Sequence, residues 1–467
     1  MQWYNKMMFN HFIKKQYSYA EMCDIMPVTE CAYAVCFTQH RKKGSGGLEM
    51  KLGFARADIT PDVGVELGGY APYRPCAGVH DRLYCKTVVL EQDGQRYALM
   101  VLDMLCVDEA LAKRIAQDVA ELGIPEGHLI AAAIHTHAGV CGVVAGEGAL
   151  AAVNRFGEAD AALFGSYIQR VIRAAVESCR EAVSKLEHFT VRKAQGEAPV
   201  IGSERHTGQP ARATLTVLQC RTESGRSLTL YQLPCHPTVL SAANGLASAD
   251  FVGGIEPLLD TDMAVFINGA AGDISTRFTR REATFAECDR MARIAAEAVT
   301  ALIESAEYTA PTPLKGLRTT LSLQPRPLET VAQAEKKLSA ATRRWQAAVD
   351  AGEEPGAVRI LRSYVEGAGV NLEFAQSMQG IRSLELPVSV FSLWGLEFVT
   401  VPGELFSTLW QHSAVPICYA NGYYRYIADQ NAYEAGYYEA MAAILARGQG
   451  EIFAQQAEKL LTQLKNT

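Results

Sequence analysis

Short, nearly continuous apolar runs recur along the chain and alternate with stretches of helical periodicity. Runs of this kind are expected of strands that are covered on both faces. The apolar runs are residues 97–105, 128–134, 227–233 and 263–267. Between these runs, apolar residues occur at helical spacing in residues 107–122 and 160–186. The alternation predicts an α/β fold with mixed sheets flanked by helices.

A helical hairpin is predicted over residues 325–381, which carry two apolar stripes separated by a turn at residues 351–356. The hairpin is either an insertion into the domain or part of its core. Two strands around Gly395 and an amphipathic helix over residues 450–464 follow. No internal repeat is visible in the sequence.

Residues 1–49 differ from the rest because they have no sustained apolar period and end in a linker-like stretch. We expect a leader that is disordered or reflects the choice of start site, and one folded domain over residues 50–467. The leader has no signal-peptide core, so we expect a cytoplasmic protein.

Composition excludes several classes of protein. The net charge of −7 disfavours nucleic-acid binding, which uses basic faces. No apolar run approaches the roughly 18 residues of a membrane span, so we expect no stable membrane insertion. The 12 cysteines are scattered without a Cys-x-x-Cys pair, which indicates reduced, mostly buried thiols and not a disulfide framework or a cysteine zinc cluster.

Several of the predicted strands end directly in groups that bind metals or transfer protons. The carboxyl ends of strands are where open α/β sheets bind ligands, so we expect these groups to converge. They are His135 and His137 after residues 128–134, His236 after 227–233, residues 268–275 after 263–267, and Glu404 after the strand that follows Gly395.

The His-x-His pair is the clearest of these signals. A single histidine at a strand end is more often structural, but His135 and His137 are accompanied by His236 and Glu404. In an extended strand end, residues two apart face the same side, so both imidazoles could serve one site. Neutral imidazoles with one carboxylate are a normal ligand set for catalytic zinc.

Two further stretches have alternative interpretations. Residues 272–275 (GDIS) could form a phosphate loop, but the Gly-x-x-x-x-Gly-Lys-Ser/Thr spacing is absent, and a tight turn that exposes Ser275 fits better. Ser275 could also merely cap that turn. The tyrosines of residues 423–438 are either packing residues or groups that ligate a metal or bond a reacting oxygen.

Taken in order, these motifs resemble the neutral/alkaline non-lysosomal ceramidase family, over nearly all of residues 50–440. The resemblance rests on residues 53–61 (GFARADITP), 69–70, 78–84 (GVHDRLY), 135–139 (HTHAG), 235–238 (CHPT), 268–275, 402–404 (PGE) and the tyrosine cluster.

The resemblance implies a site as well as a fold. The zinc of the family is bound by two histidines, a glutamate and a tyrosine, which correspond to His135, His236, Glu404 and Tyr426. Its reactive serine corresponds to Ser275, the second histidine of its His-Thr-His to His137, and a further tyrosine to Tyr438. Its Asn-Arg element aligns loosely with Glu204-Arg205, which makes Arg205 a candidate oxyanion or substrate contact.

The chain departs from the family pattern near the site. Where the family has His-Thr-His-Ser-Gly-Pro, this chain has Ala138-Gly139-Val140 after the histidines, and where it has Ser-Pro-Asn, this chain has Ser275-Thr276-Arg277. The charge of Arg277 suggests an acidic or polar substrate. The family's immunoglobulin-like carboxyl-terminal domain is not expected here, and family members are often secreted.

These observations lead us to expect a zinc-dependent amidohydrolase that acts on a linear N-acyl bond of a small-molecule or lipid-like substrate, as in sphingolipid metabolism. We expect a shorter or more polar substrate than long-chain ceramide. The alternatives are a zinc-dependent esterase or deacylase acting on a small polar or carbohydrate-derived substrate, and a non-catalytic binding module.

Overall fold

Three sheets with the same internal order of strands form this computed structural model, which describes residues 35–36, 49–70, 74–144, 147 and 160–467. In each sheet three consecutive strands run antiparallel, and a fourth strand lies parallel to the third. A later helix then packs on the first two strands. One arrangement is therefore built three times, and we call the three copies the first, second and third repeat.

The first repeat contains helix α1 (Glu109–Val119) in its crossover and helix α2 (Ala161–Ser184) on its sheet. Its hairpin turns at Asp93 and Gly94, both with positive φ, as a two-residue turn between twisted strands requires. Asp108 caps α1 by accepting a hydrogen bond from the amide of Leu111. Its strands are Met50–Asp58, Tyr84–Gln92, Gln95–Leu102 and Leu129–Ala133.

The second repeat contains helix α3 (Phe285–Glu304), which packs on its first two strands. The side chain of Thr284 caps this helix by accepting a hydrogen bond from the amide of Glu287. The strands are Phe189–Glu197, Thr214–Thr222, Ser227–Gln232 and Met263–Ile267. The last strand is buried along its whole length, as its uninterrupted apolar sequence predicts.

The third repeat carries the predicted hairpin, helices α4 (Val331–Asp350) and α5 (Pro355–Ser377), between two strands that are hydrogen-bonded neighbours. Its strands are Lys315–Leu323, Leu384–Leu393, Leu396–Thr400 and Val415–Ile417. The short helices α6 (Gln430–Ala435) and α7 (Tyr438–Ala442) follow, and helix α8 (Gln449–Lys465) packs on the first two strands.

The three fourth strands meet one another where they end. The side-chain amide of Asn268 donates to the carbonyl of Ile134 at 3.1 Å, and the amide of Cys418 donates to the carbonyl of Asn268 at 3.0 Å. The amide of Ala133 donates to the carbonyl of Tyr419 at 3.2 Å, so the third repeat also contacts the first. We call this set of contacts the strand-end ring. It brings the loops of all three repeats to one place.

Shorter elements complete the described structure. Two-residue strands are Val35–Cys36, Glu66–Leu67, Arg74–Pro75, Gly78–Val79, Cys106–Val107, Cys141–Gly142, Ser203–Glu204, Leu246–Ala247, Ile274–Ser275, Glu404–Leu405 and Tyr426–Ile427. The 3₁₀ turns are Ala120–Leu122, Glu126–His128, Asp250–Val252, Glu256–Leu258, Thr276–Phe278 and Ser407–Leu409.

The structure confirms the α/β class with mixed sheets, flanking helices and a helical hairpin. In the hairpin, α4 buries Ala334 and Ala348 and leaves most of its remaining side chains at least partly exposed. The boundary at residue 50 stays a prediction. Val35–Cys36 pairs with the edge of the third sheet, and the rest of residues 1–48 lies outside the described part of the chain.

Two findings concern the classes excluded from composition. None of the described helices has a stretch long and apolar enough to cross a bilayer. Nine of the cysteines lie in the described ranges between residues 49 and 467, and all nine are buried and free, as the sequence predicts.

Candidate metal centre and active site

His135 lies two residues beyond the end of the fourth strand of the first repeat, in a left-handed backbone conformation with φ of 68°. The extended strand end predicted at His135 is therefore wrong. The turn instead lets Nδ1 of His135 donate to the carbonyl of Leu105 at 2.7 Å. Because a carbonyl only accepts, Nδ1 carries the proton and Nε2 is free to ligate.

His236 follows the third strand of the second repeat and is held in the same way. Its Nδ1 lies 2.7 Å from the carbonyl oxygen of Ala271, so Nε2 is again the free nitrogen. Burial and the charge of Arg205 lower the pKa of His236 to about 4, so the ring is neutral at pH 7. Nε2 of this neutral ring therefore presents a lone pair to whatever it faces.

That lone pair faces Glu404, which follows the third strand of the third repeat. Oε2 of Glu404 lies 2.9 Å from Nε2 of His236 and 3.4 Å from Nε2 of His135. Glu404 is 2% exposed, and a buried carboxylate needs a positive charge nearby to stay ionised. Acceptors this close repel one another unless a cation lies between them. The donor set therefore fits a metal ion.

His137 belongs to the same cluster. Its Nε2 lies 3.3 Å from Nε2 of His135, and the imidazoles of His135, His137 and His236 are close enough together that they could hold a metal ion. Within the described part of the chain, Nδ1 of His137 is buried without a hydrogen-bond partner, unlike Nδ1 of the other two histidines. Burial and the neighbouring histidines lower its pKa well below the usual range. His137 is therefore neutral and less constrained than His135 and His236.

The loop before residue 71 fixes the position of His137. The ring of Tyr70 packs edge-on against it, with 4.8 Å between the ring centroids. Gly69 has φ of 85°, and a Cβ at this position would lie 2.5 Å from Cγ of His137. Glycine is therefore required here both for backbone conformation and for space.

Tyr426 lies beside Glu404 because the two residues are partners in a parallel pair of short strands. Nη1 of Arg205 donates to the hydroxyl of Tyr426 at 3.1 Å and to Oε1 of Glu439 at 3.0 Å. Burial raises the pKa of the Tyr438 hydroxyl to about 12, and its ring lies edge-on to that of Tyr426 at 6.1 Å. The candidate oxyanion contacts thus surround the candidate zinc tyrosine.

Ser275 is 3% exposed and bridges two parts of the site. Its strand pairs with Ser203, two residues before Arg205, and its backbone also forms a parallel bridge with His236. Its Oγ accepts a hydrogen bond from the amide of Arg277 at 3.4 Å, so Ser275 does cap the following 3₁₀ turn. The capping interpretation is correct, and the backbone of the same residue is paired with that of His236.

The glycine-rich stretch around Asp273 is a tight turn, as the sequence analysis preferred. The carboxylate of Asp273 accepts hydrogen bonds from the amide and the hydroxyl of Ser407, both at 2.7 Å. A Cβ on Gly272 would lie 2.6 Å from the carbonyl oxygen of Glu404, so glycine permits this close approach. The turn ties the second repeat to the third, and its buried carboxylate makes it unsuited to bind phosphate.

Three residues of the site were not singled out in the sequence. The hydroxyl of Tyr423 donates to Oε1 of Glu404 at 2.7 Å. Glu439 accepts from Arg205, and Nε2 of His206 lies 3.1 Å from its other oxygen. The signal for Tyr423 was its place in the tyrosine cluster, and Glu439 and His206 each directly follow a candidate residue.

Comparisons with known proteins give one family match. Residues 50–266 match the family model described as neutral/alkaline non-lysosomal ceramidase, N-terminal. No match was found among curated proteins.

Two solved structures share the fold. Neutral ceramidase from Pseudomonas aeruginosa is 16% identical, with a TM-score of 0.66, and the match covers 90% of this chain and 75% of that chain. A ceramidase complexed with C2 is 16% identical, with a TM-score of 0.65, and the match covers 90% of this chain and 76% of that chain. Residues 50–266 therefore carry the sequence pattern of the neutral/alkaline non-lysosomal ceramidase family, and most of the chain shares the fold of these two ceramidase structures.

Proposed function

We propose that this protein is a zinc-dependent hydrolase of linear amide bonds that connect an acyl group to an amine. The observation that carries the proposal is the approach of Glu404 to Nε2 of His135 and of His236, with both Nδ1 atoms engaged by carbonyls. Neutral imidazole with one carboxylate is the ligand chemistry of catalytic zinc, which keeps a coordination position open.

In this proposal His135, His236 and Glu404 hold the zinc, with Tyr426 as the fourth ligand beside Glu404. The bound metal supplies Lewis-acid activation of water and polarisation of the amide carbonyl. Glu439 fixes the guanidinium of Arg205 next to the hydroxyl of Tyr426. A donor held in this way needs no reorganisation when charge develops on the carbonyl oxygen.

The remaining groups divide the work of proton transfer and orientation. His137 is neutral and has no hydrogen bond at its buried Nδ1, so it can accept or donate a proton near the histidine cluster. Tyr438 has its proton at neutral pH and serves with Arg205 as a donor to the oxyanion. Ser275, held next to His236, attacks the carbonyl or orients water and the leaving group.

A panel of substrates tests this function. Acid release from N-acyl amides and from the matching esters is measured before and after a chelator and after zinc is restored. We expect amide hydrolysis that is lost with the metal and regained with it. Hydrolysis of the esters alone would assign the site to an esterase, and no metal-dependent hydrolysis at all would reject the enzyme.

The same panel tests the size of the substrate. We expect short or polar N-acyl compounds to be turned over faster than long-chain ceramide, because Arg277 beside Ser275 is costly to desolvate against an alkyl chain. Rates are compared over a series of acyl lengths with and without liposomes. A preference for long chains that increases with liposomes would contradict this expectation.

Tyr423→Phe removes the hydrogen bond to Oε1 of Glu404 and leaves the ring in place. We expect zinc affinity to fall by about 10- to 100-fold, as when other groups that orient metal ligands are removed. Competition with a chelator measures the affinity. Tyr424→Phe is the matched control, because its hydroxyl bonds the carbonyl of Glu385. Equal affinities of the two variants would show that Tyr423 does not orient Glu404.

A further inference from the structure

Arg277 lies two residues after Ser275, on the 3₁₀ turn Thr276–Phe278. Ser275 and Thr276 are buried, whereas Arg277 is exposed. The hydrogen bond from its backbone amide to Oγ of Ser275 fixes the point at which the side chain departs. The backbone of Arg277 is therefore fixed beside the candidate reactive serine, and its side chain is exposed to solvent.

The charge of Arg277 has no partner within the described part of the chain, where its guanidinium makes neither a hydrogen bond nor an ion pair. The acidic group among its electrostatic neighbours is Glu439, which is already engaged. Oε1 of Glu439 accepts from Arg205 at 3.0 Å, and Oε2 lies 3.1 Å from Nε2 of His206. An arginine at a free surface commonly stays solvated without a partner, so the missing ion pair alone does not define a site.

The surroundings of Arg277 differ from a free surface. Burial lowers its pKa, and so do the charges of Arg205 and of Arg359 on helix α5. Arg277 is thus reachable by solvent, and it lies close enough to Arg205, Arg359 and Glu439 to feel their charges. Arg205 is paired with Glu439, and Arg359 with Glu366 at 3.2 Å. The remaining positive charge is that of Arg277.

We propose that the substrate of this enzyme carries an anionic group, a carboxylate or a phosphate-type group, which Arg277 binds beside Ser275. This inference rests on the proposed amide hydrolysis and names the class of amide, an N-acyl compound with an acid close to the amide bond. A guanidinium presents paired N–H donors that match both kinds of anion. Such an anion supplies the negative charge that Arg277 lacks among the described residues.

The test compares substrates that differ in one group. N-octanoylglycine, its neutral carboxamide and the corresponding aminomethylphosphonate are hydrolysed by the zinc-loaded full-length protein, and octanoate release gives kcat/KM. We expect the anionic compounds to exceed the carboxamide by about tenfold or more, equivalent to about 1.4 kcal/mol. Arg277→Gln should remove this preference and Arg277→Lys should keep part of it. Arg293→Gln, which changes an exposed arginine on helix α3, should leave it intact.

Equal kcat/KM for anionic and neutral substrates, or a preference that survives Arg277→Gln, would overturn the inference while the proposed amide hydrolysis stands. The ratio of carboxylate to phosphonate decides which anion the site takes.

Measurements of binding affinity distinguish a failure of this inference from a failure of the proposed function. N-(octylsulfonyl)glycine and its carboxamide resist hydrolysis, and calorimetry gives their affinities for each variant. Tighter binding of the acid by the natural protein, and not by Arg277→Gln, supports the anion site even where no amide is hydrolysed. Equal affinity of acid and carboxamide rejects it.

Discussion

Replacing His135 or His236 by Ala, or Glu404 by Gln, is expected to remove most of the bound zinc and to slow hydrolysis by about a thousandfold or more. The three side chains are at most 3% exposed, and they converge from the three different repeats. Each variant leaves three ligands at best, which form a poor zinc site. A thousandfold corresponds to about 4 kcal/mol of barrier, within the range of Lewis-acid catalysis.

Zinc content by elemental analysis and initial rates on an N-acyl amide measure the two effects together. His412→Ala is the control, because this histidine is 31% exposed and forms an ion pair with Glu458 at 3.8 Å. Full zinc occupancy in all three ligand variants would reject the ligand assignment. Normal zinc content with lost activity would mean that the residues act in the reaction and not as ligands.

Ser275→Ala is expected to lower turnover by about a thousandfold while zinc content and folding stay unchanged. The backbone of Ser275 bridges to His236, but its hydroxyl bonds an amide and no candidate ligand. Loss of a nucleophile or of a group that orients water removes stabilisation that exists only in the transition state, so kcat falls more than KM rises.

The control for Ser275 is a serine with the same local role. Oγ of Ser241 accepts from the amide two residues later, that of Ala243, at 3.3 Å. Ser241→Ala therefore removes an equivalent turn contact away from the histidines and should leave turnover unchanged. Similar rates for Ser275→Ala and Ser241→Ala would reduce Ser275 to a residue that stabilises a turn.

Much of the fold could be predicted because periodicity is local. The strand at Met263–Ile267 was predicted to the residue, and helix α2 and helix α8 to within two residues at each end. The threefold repetition could not be predicted from the sequence, because the three repeats share their strand order and hydrogen-bonding pattern and not their side chains. The sequence shows no repeat, although three parts of the chain fold in the same way.

The site could be predicted in part for a different reason. Strand ends converge in α/β sheets, so the grouping of His135, His236 and Glu404 was an expectation from order along the chain. The left-handed turn at His135 and the hydrogen bond from Tyr423 to Glu404 depend on contacts between repeats. No local pattern encodes such contacts. Glu439 is recognised as part of the site only by its hydrogen bond with Arg205.

The strand-end ring determines how the chain can be divided. Asn268 and Tyr419 belong to loops of the second and third repeats, and the contacts among the three fourth strands require all of them. The region that matches the family model, residues 50–266, ends before Asn268 and contains neither Ser275, Glu404 nor Tyr426. A fragment limited to that region would carry the family's sequence pattern without the complete candidate metal site. The activity proposed for this chain therefore depends on all three repeats, and the matched region contains only part of the candidate site.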